Sequence, residues 1–112
     1  MDERTRKVGE NEALFRTVNE EIEGLNRGMA EVSDRTLHIT CECGDLQCAA
    51  PLPVPIDDYE RIRAESALFF IQPGHEIPQV ETVVENSPRF AVVRKDPGAP
   101  QQIAEASDRR NS

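Results

Sequence analysis

Tryptophan is missing from this chain of 112 residues, and its aromatic side chains amount to four Phe and one Tyr. A domain of this length buries only about 60–70% of the surface its unfolded chain exposes. With apolar residues at 38% of the chain, the core must be thin, and a cross-link or a bound metal would reinforce it. Positive charge is also scarce: 13 Lys and Arg stand against 21 Asp and Glu, a formal net charge of -8. That balance repels phosphate backbones and anionic lipid. Arg4, Arg6, Lys7, Arg109 and Arg110 lie near the two ends and read as solvated terminal charge. Neither nucleic acid nor membrane is an expected partner. No stretch approaches the roughly 20 apolar residues that span a bilayer. The first 25 residues are charged and lack the apolar middle of a secretory signal, so the expected location is the cytoplasm. Cysteine is limited to three residues. An odd count without an export signal argues against a disulfide framework and for metal binding or redox chemistry.

What is present suggests an α+β fold in a small single domain, with an N-terminal amphipathic helix, a short central helix and a mainly antiparallel sheet around a zinc site. Residues 1–10 are polar and read as a flexible arm. From Asn11, a capping residue, Leu14, Phe15, Val18, Ile22, Leu25 and Met29 recur at spacings of three and four, which predicts a helix of about four turns closed by Gly28. The stripe also follows a seven-residue repeat, but for barely two heptads, so it is read as packing on the protein's own sheet. Glu12 with Arg16 and Glu23 with Arg27 form i,i+4 pairs on what is then the solvated face.

Thr36–Glu42 alternates and is rich in β-branched residues, as a strand should be. Residues 51–56 alternate too, but Pro51, Pro53 and Pro55 cannot donate to a ladder, which suits only an edge strand. Asp57 and Glu60 resemble a capping box that opens a short helix reaching about Ser66. Leu68–Ile71 reads as a buried strand, ended by the turn signal Pro73-Gly74. Val80–Glu85 and Phe90–Lys95 read as a hairpin across Asn86-Ser87-Pro88-Arg89. The domain thus runs over residues 11–95, and the composition of residues 96–112 reads as a disordered tail.

The chemical signal is C-E-C-G-D-L-Q-C, which places Cys41, Cys43 and Cys48 within eight residues. Thiolates are preferred zinc ligands and structural sites are tetrahedral. Gly44 permits the tight turn that returns Cys48 toward the other two. A fourth ligand must come from elsewhere: His38, His75 or, less favourably, Asp45. In an extended strand His38 has the opposite parity to Cys41 and Cys43 and faces away from them. His75, on a separate Pro-Gly turn, is therefore the expected fourth ligand, which completes the metal set Cys41, Cys43, Cys48 and His75. Zinc is the expected cofactor.

The segments N-E-A-L-F-R-T-V-N-E (11–20), C-E-C-G-D-L-Q-C (41–48), D-Y-E-R-I-R (58–63) and P-G-H-E-I-P (73–78) stand in this order. Together they resemble a family of small, uncharacterised actinobacterial-type proteins over about residues 11–95. The resemblance implies that the cysteine cluster and the P-G-H-E turn belong to one unit, and it implies no activity.

Zinc enzymes keep a coordination position open for water beside a general base. Glu42 and Glu76 are the nearby carboxylates and read as solvated charges. No H-E-x-x-H or deaminase-type motif is present. The sequence therefore suggests a non-catalytic, zinc-holding module that binds another protein, with regulation as its role and the N-terminal helix or the proline-rich strand as its surface. The alternative is a cytosolic thiol redox sensor that uses the cysteine cluster.

Overall fold

The computed structural model describes residues 3–27, 36–45, 47–48 and 50–108. Eight elements follow in the order α1 (Glu3–Arg27), β1 (Thr36–Thr40), β2 (Pro51–Pro55), α2 (Ile56–Arg63), β3 (Leu68–Ile71), β4 (Glu81–Asn86), β5 (Ala91–Lys95) and α3 (Ala99–Ala106). The α+β class is as expected, and every strand pairing is antiparallel, but the strands divide into two sheets, β1-β2 and β3-β5-β4.

In the smaller sheet Leu37 pairs with Val54 and Ile39 with Leu52, all four buried. The three prolines of β2 share one parity. In an antiparallel pair such a set can turn its missing N–H positions away from the partner strand, so the ladder to β1 survives. In the larger sheet β3 is buried along its whole length. The β4-β5 hairpin shifts register between Val83 and Glu85. Tyr59 of α2 stacks on Phe70 with ring centroids 5.6 Å apart. α2 itself packs against β2 and β3. Its first turn differs from the capping-box reading: the helix starts at Ile56 behind Pro55, with no side-chain cap, and Asp57 and Asp58 lie in its first turn, where they suit the helix dipole.

The N-terminal helix departs most from its sequence reading. It begins at Glu3, so residues 3–10 of the expected arm are helical, supported by the Arg6–Glu10 pair at 3.2 Å. Gly9, which reads as a break, is a point of close approach: a Cβ there would lie 2.8 Å from Cγ2 of Ile103. Asn11 is an interior residue rather than a cap. The expected C-cap at Gly28 lies outside the described residues, as does Met29.

The faces of α1 are also reversed. Glu12, Arg16, Asn19 and Glu23 are buried, whereas Leu14 is 54%, Val18 41% and Leu25 76% exposed. Phe15 and Ile22 are half-buried. Both stripes have helical spacing, so periodicity alone could not say which one turns inward. The surface under α1 decides it, because beneath Glu12, Arg16 and Asn19 it presents backbone carbonyls and charged groups. Arg16 donates to the carbonyls of Ser66 at 2.6 Å and Ala104 at 2.7 Å, and its guanidinium lies 4.3 Å from the centre of the Phe69 ring. Lys95 Nζ donates to Glu12 at 2.5 Å and to Glu81 at 2.6 Å. Glu12 thus pairs with Lys95 rather than with Arg16.

Residues 99–106 of the expected disordered tail form α3. Gly98, at φ 99, turns the chain and Pro100 occupies the first helical turn, a position that suits its missing N–H. Ala104 and Asp108 are buried, and Asp108 accepts from Arg63 at 2.9 Å. Residues 109–112 lie outside the described residues.

Candidate metal centre

Two turns and one strand end build the site. Past β1 the chain stays extended through Cys41 and Glu42, tied to both sheets: Cys41 N–H donates to the Ala50 carbonyl at 3.0 Å and Glu42 N–H to the Phe70 carbonyl at 2.8 Å. Gly44 then adopts φ 83, the left-handed region where a side chain is strained. Asp45 closes the return, accepting the Gln47 N–H on its side chain and the Cys48 N–H on its carbonyl, both at 2.9 Å. Opposite, His75 N–H donates to the Gln72 carbonyl at 3.0 Å. Pro73 and Gly74, at φ 92, are the two central residues of that turn, the placement a type II turn favours.

The turns bring together Cys41, Cys43, Cys48 and His75, whose ligand atoms all lie within 4.8 Å of one another. His75 Nδ1 is 3.7 Å from Cys41 Sγ and 3.6 Å from Cys48 Sγ. A tetrahedral zinc with Zn–S of about 2.3 Å and Zn–N of about 2.0–2.1 Å has S···N edges of about 3.6 Å. The four residues can therefore hold a metal ion, and the two sulfur-to-nitrogen distances are those of such an edge. Cys41 and Cys43 are buried, and Cys48 and His75 are half-buried. His38 is exposed on β1, between buried Leu37 and Ile39, as parity predicts. Asp45 is exposed and is not part of the cluster.

Burial pushes the Cys41 thiol well above its ordinary range, against the Gln72 N–H, and the neighbouring thiols Cys43 and Cys48 raise it further. Cys43 is raised for the same first reason, opposed by a hydrogen bond from the Asp45 backbone. Protein alone thus disfavours thiolates here, and a bound dication would supply the missing counter-charge. The Gln72 N–H donates to Cys41 Sγ at 3.1 Å and orients that sulfur as partners behind a metal ligand do.

The carboxylates read as solvated have other places. Glu42 is buried, accepting from Asn19 Nδ2 at 2.7 Å and from the Phe70 N–H at 2.9 Å. Burial raises its pKa while Asn19 and the Phe70 N–H oppose the shift. Strand alternation hid this, because both faces of residues 41–43 are covered. Glu76 is half-buried beside His75 on the wall of a cleft of about 390 Å³ that Cys43, Gly44 and Asp45 also line.

Two supporting residues went unrecognised in the sequence. Asn11 Nδ2 donates to the Gly44 carbonyl at 3.0 Å. Asn19 donates to the Thr40 carbonyl at 2.8 Å and accepts the Thr40 N–H at 2.9 Å. The available signal was Asn19 inside the expected helix, where asparagine is a poor former and suggests a tertiary contact; Asn11 read as a cap. No family model, curated protein or solved structure matches this chain.

Proposed function

We propose that the chain is a non-catalytic module in which Cys41, Cys43, Cys48 and His75 hold one structural zinc ion, and that it acts in regulation by binding another protein. The observation that carries this reading is the match between the 3.6 and 3.7 Å sulfur-to-nitrogen distances and the edge of a zinc tetrahedron. Four protein ligands fill such a site and leave no position for a substrate or an activated water. The partner is a protein rather than nucleic acid or a lipid surface, given the net charge of -8. Among the described residues no helix is long and apolar enough to cross a membrane, and we place the protein in the cytoplasm. Exposed Leu14, Val18 and Leu25 on α1 offer a protein-binding surface.

Native mass spectrometry of the purified chain tests the metal. One zinc per chain is expected, lost in Cys48→Ser together with thermal stability. A wild-type protein that takes up no metal, or that melts at the same temperature with and without it, would reject the reading.

A second reading, a thiol redox sensor, is favoured by one observation: Cys43 faces the cleft and Cys48 is only half-buried, so small oxidants can reach sulfur. Mild peroxide should then release zinc as free thiols disappear. A site that keeps zinc and three reduced thiols under that exposure is structural only.

A further inference from the structure

Among the described residues, no fully buried apolar side chain in the core comes from α1. The core is made by β1, β2, α2, β3, β5, Ala104 and the cysteines, and Ile22 alone in α1 packs against it, partly buried. The helix is held mainly by polar contacts, and these divide along its length. Its second half is tied to groups anchored in the sheets. Asn19 bonds Thr40 at the end of β1 and Glu42, which is itself bonded to β3, and Arg16 reaches the Ser66 and Ala104 carbonyls.

The first half leans on the metal loop and, through Glu12, on Lys95 of β5. Asn11 donates to the Gly44 carbonyl. A Cβ at Gly44 would lie 3.0 Å from Glu12 Cγ, 3.1 Å from Val8 Cγ1 and 3.2 Å from the Val8 carbonyl, so only glycine lets loop and helix meet this closely. Among the described residues, the backbone hydrogen bonds within 43–48 stay inside the loop. Besides the Asn11 bond and the packing of Gly44 on Val8 and Glu12, the described loop residues reach the rest of the fold through the cysteine side chains and His75.

We propose that metal in this site acts as a clasp on the N-terminal turns of α1, and that metal loss frees residues 6–13 while residues 16–25 and both sheets stay folded. The inference rests on the metal-binding reading above and adds a regulated element to it. Other holds on these turns include the Glu12–Lys95 bond and the contact of Gly9 with Ile103, and Gly9 lowers the intrinsic helicity of the freed segment. By linkage, a weaker clasp must also weaken metal binding.

Hydrogen exchange on the full chain, with and without a zinc chelator and with metal content measured on the same samples, tests the clasp. Amides 6–13 should exchange about tenfold faster or more after chelation, while those of 16–25, β3 and β5 hold their rates. Asn11→Ala should keep one zinc, speed exchange at 6–13 in the loaded state, and weaken zinc about fivefold, as loss of one hydrogen bond implies. A chain that carries no zinc defeats the metal centre and the clasp together. A chain that carries zinc but shows no change at 6–13, or loses all protection at once, defeats the clasp alone. Unaltered zinc affinity in Asn11→Ala would also overturn it.

Discussion

Glu12 shows how a single buried group can set a pH dependence. Burial raises its pKa from 4.5 to about 8, with Lys95 opposing the shift and Glu81 adding to it. Two carboxylates share one ammonium in a closed space, which favours the protonated form of Glu12. The folded state therefore binds a proton that the unfolded chain has released, and this group's contribution to stability falls as pH rises from about 4.5 to about 8. Glu12→Gln imitates the protonated form. Relative to wild type its stability should rise across that window by on the order of a few kcal/mol and then level off, as urea melts at several pH values would show. A variant that loses stability equally at every pH would point to an ionised Glu12. The two histidines make a second pair of tests. His75→Ala should lower zinc content and melting temperature together, whereas His38→Ala, on the exposed face of β1, should leave both unchanged.

Among the elements, sequence spoke most clearly where side-chain pattern and burial agree. The alternation of β1, the turn at Pro73-Gly74, the β4-β5 hairpin and the grouping of His75 with the three cysteines were all legible, because each rests on a local rule of parity or turn chemistry. The two ends were not. Gly9 and the Gly98-Pro100 segment resemble loops, yet the glycine at 9 marks a close helix contact and the proline at 100 marks a helix start. The orientation of α1 was out of reach for a different reason: it depends on the groups that sheets and loops place beneath it. α3 supplies a direct test. Ending the chain at Pro97 removes the Ala104 carbonyl from Arg16 and the Asp108 carboxylate from Arg63, two guanidinium groups that are 2% and 1% exposed. Breaking buried charged contacts of this kind costs about 3–5 kcal/mol. The denaturant midpoint should fall accordingly, while an unchanged midpoint would restore the tail to a passive role.

At the scale of the molecule, Glu42 sits where the two sheets and α1 meet, with its backbone bonded to β3 and its carboxylate shared between Phe70 and Asn19. Glu42→Ala should leave the Phe70 N–H and the Asn19 amide without this acceptor and destabilise by about 2–4 kcal/mol, in metal-loaded and metal-free protein alike. Loss confined to the loaded form would assign Glu42 to the metal loop instead. The polar inward face of α1 has one more consequence, which concerns synthesis. The helix is made before Gly44, Ser66, Lys95 and Ala104, and Lys95 follows Glu12 by 83 positions. At roughly 5–20 residues per second this is a wait of about 4–17 seconds. A nascent helix with an apolar inward stripe would spend that interval offering it to other chains. Glu12, Arg16, Asn19 and Glu23 spend it hydrated, so the face that must wait longest is the one least prone to associate wrongly on the ribosome.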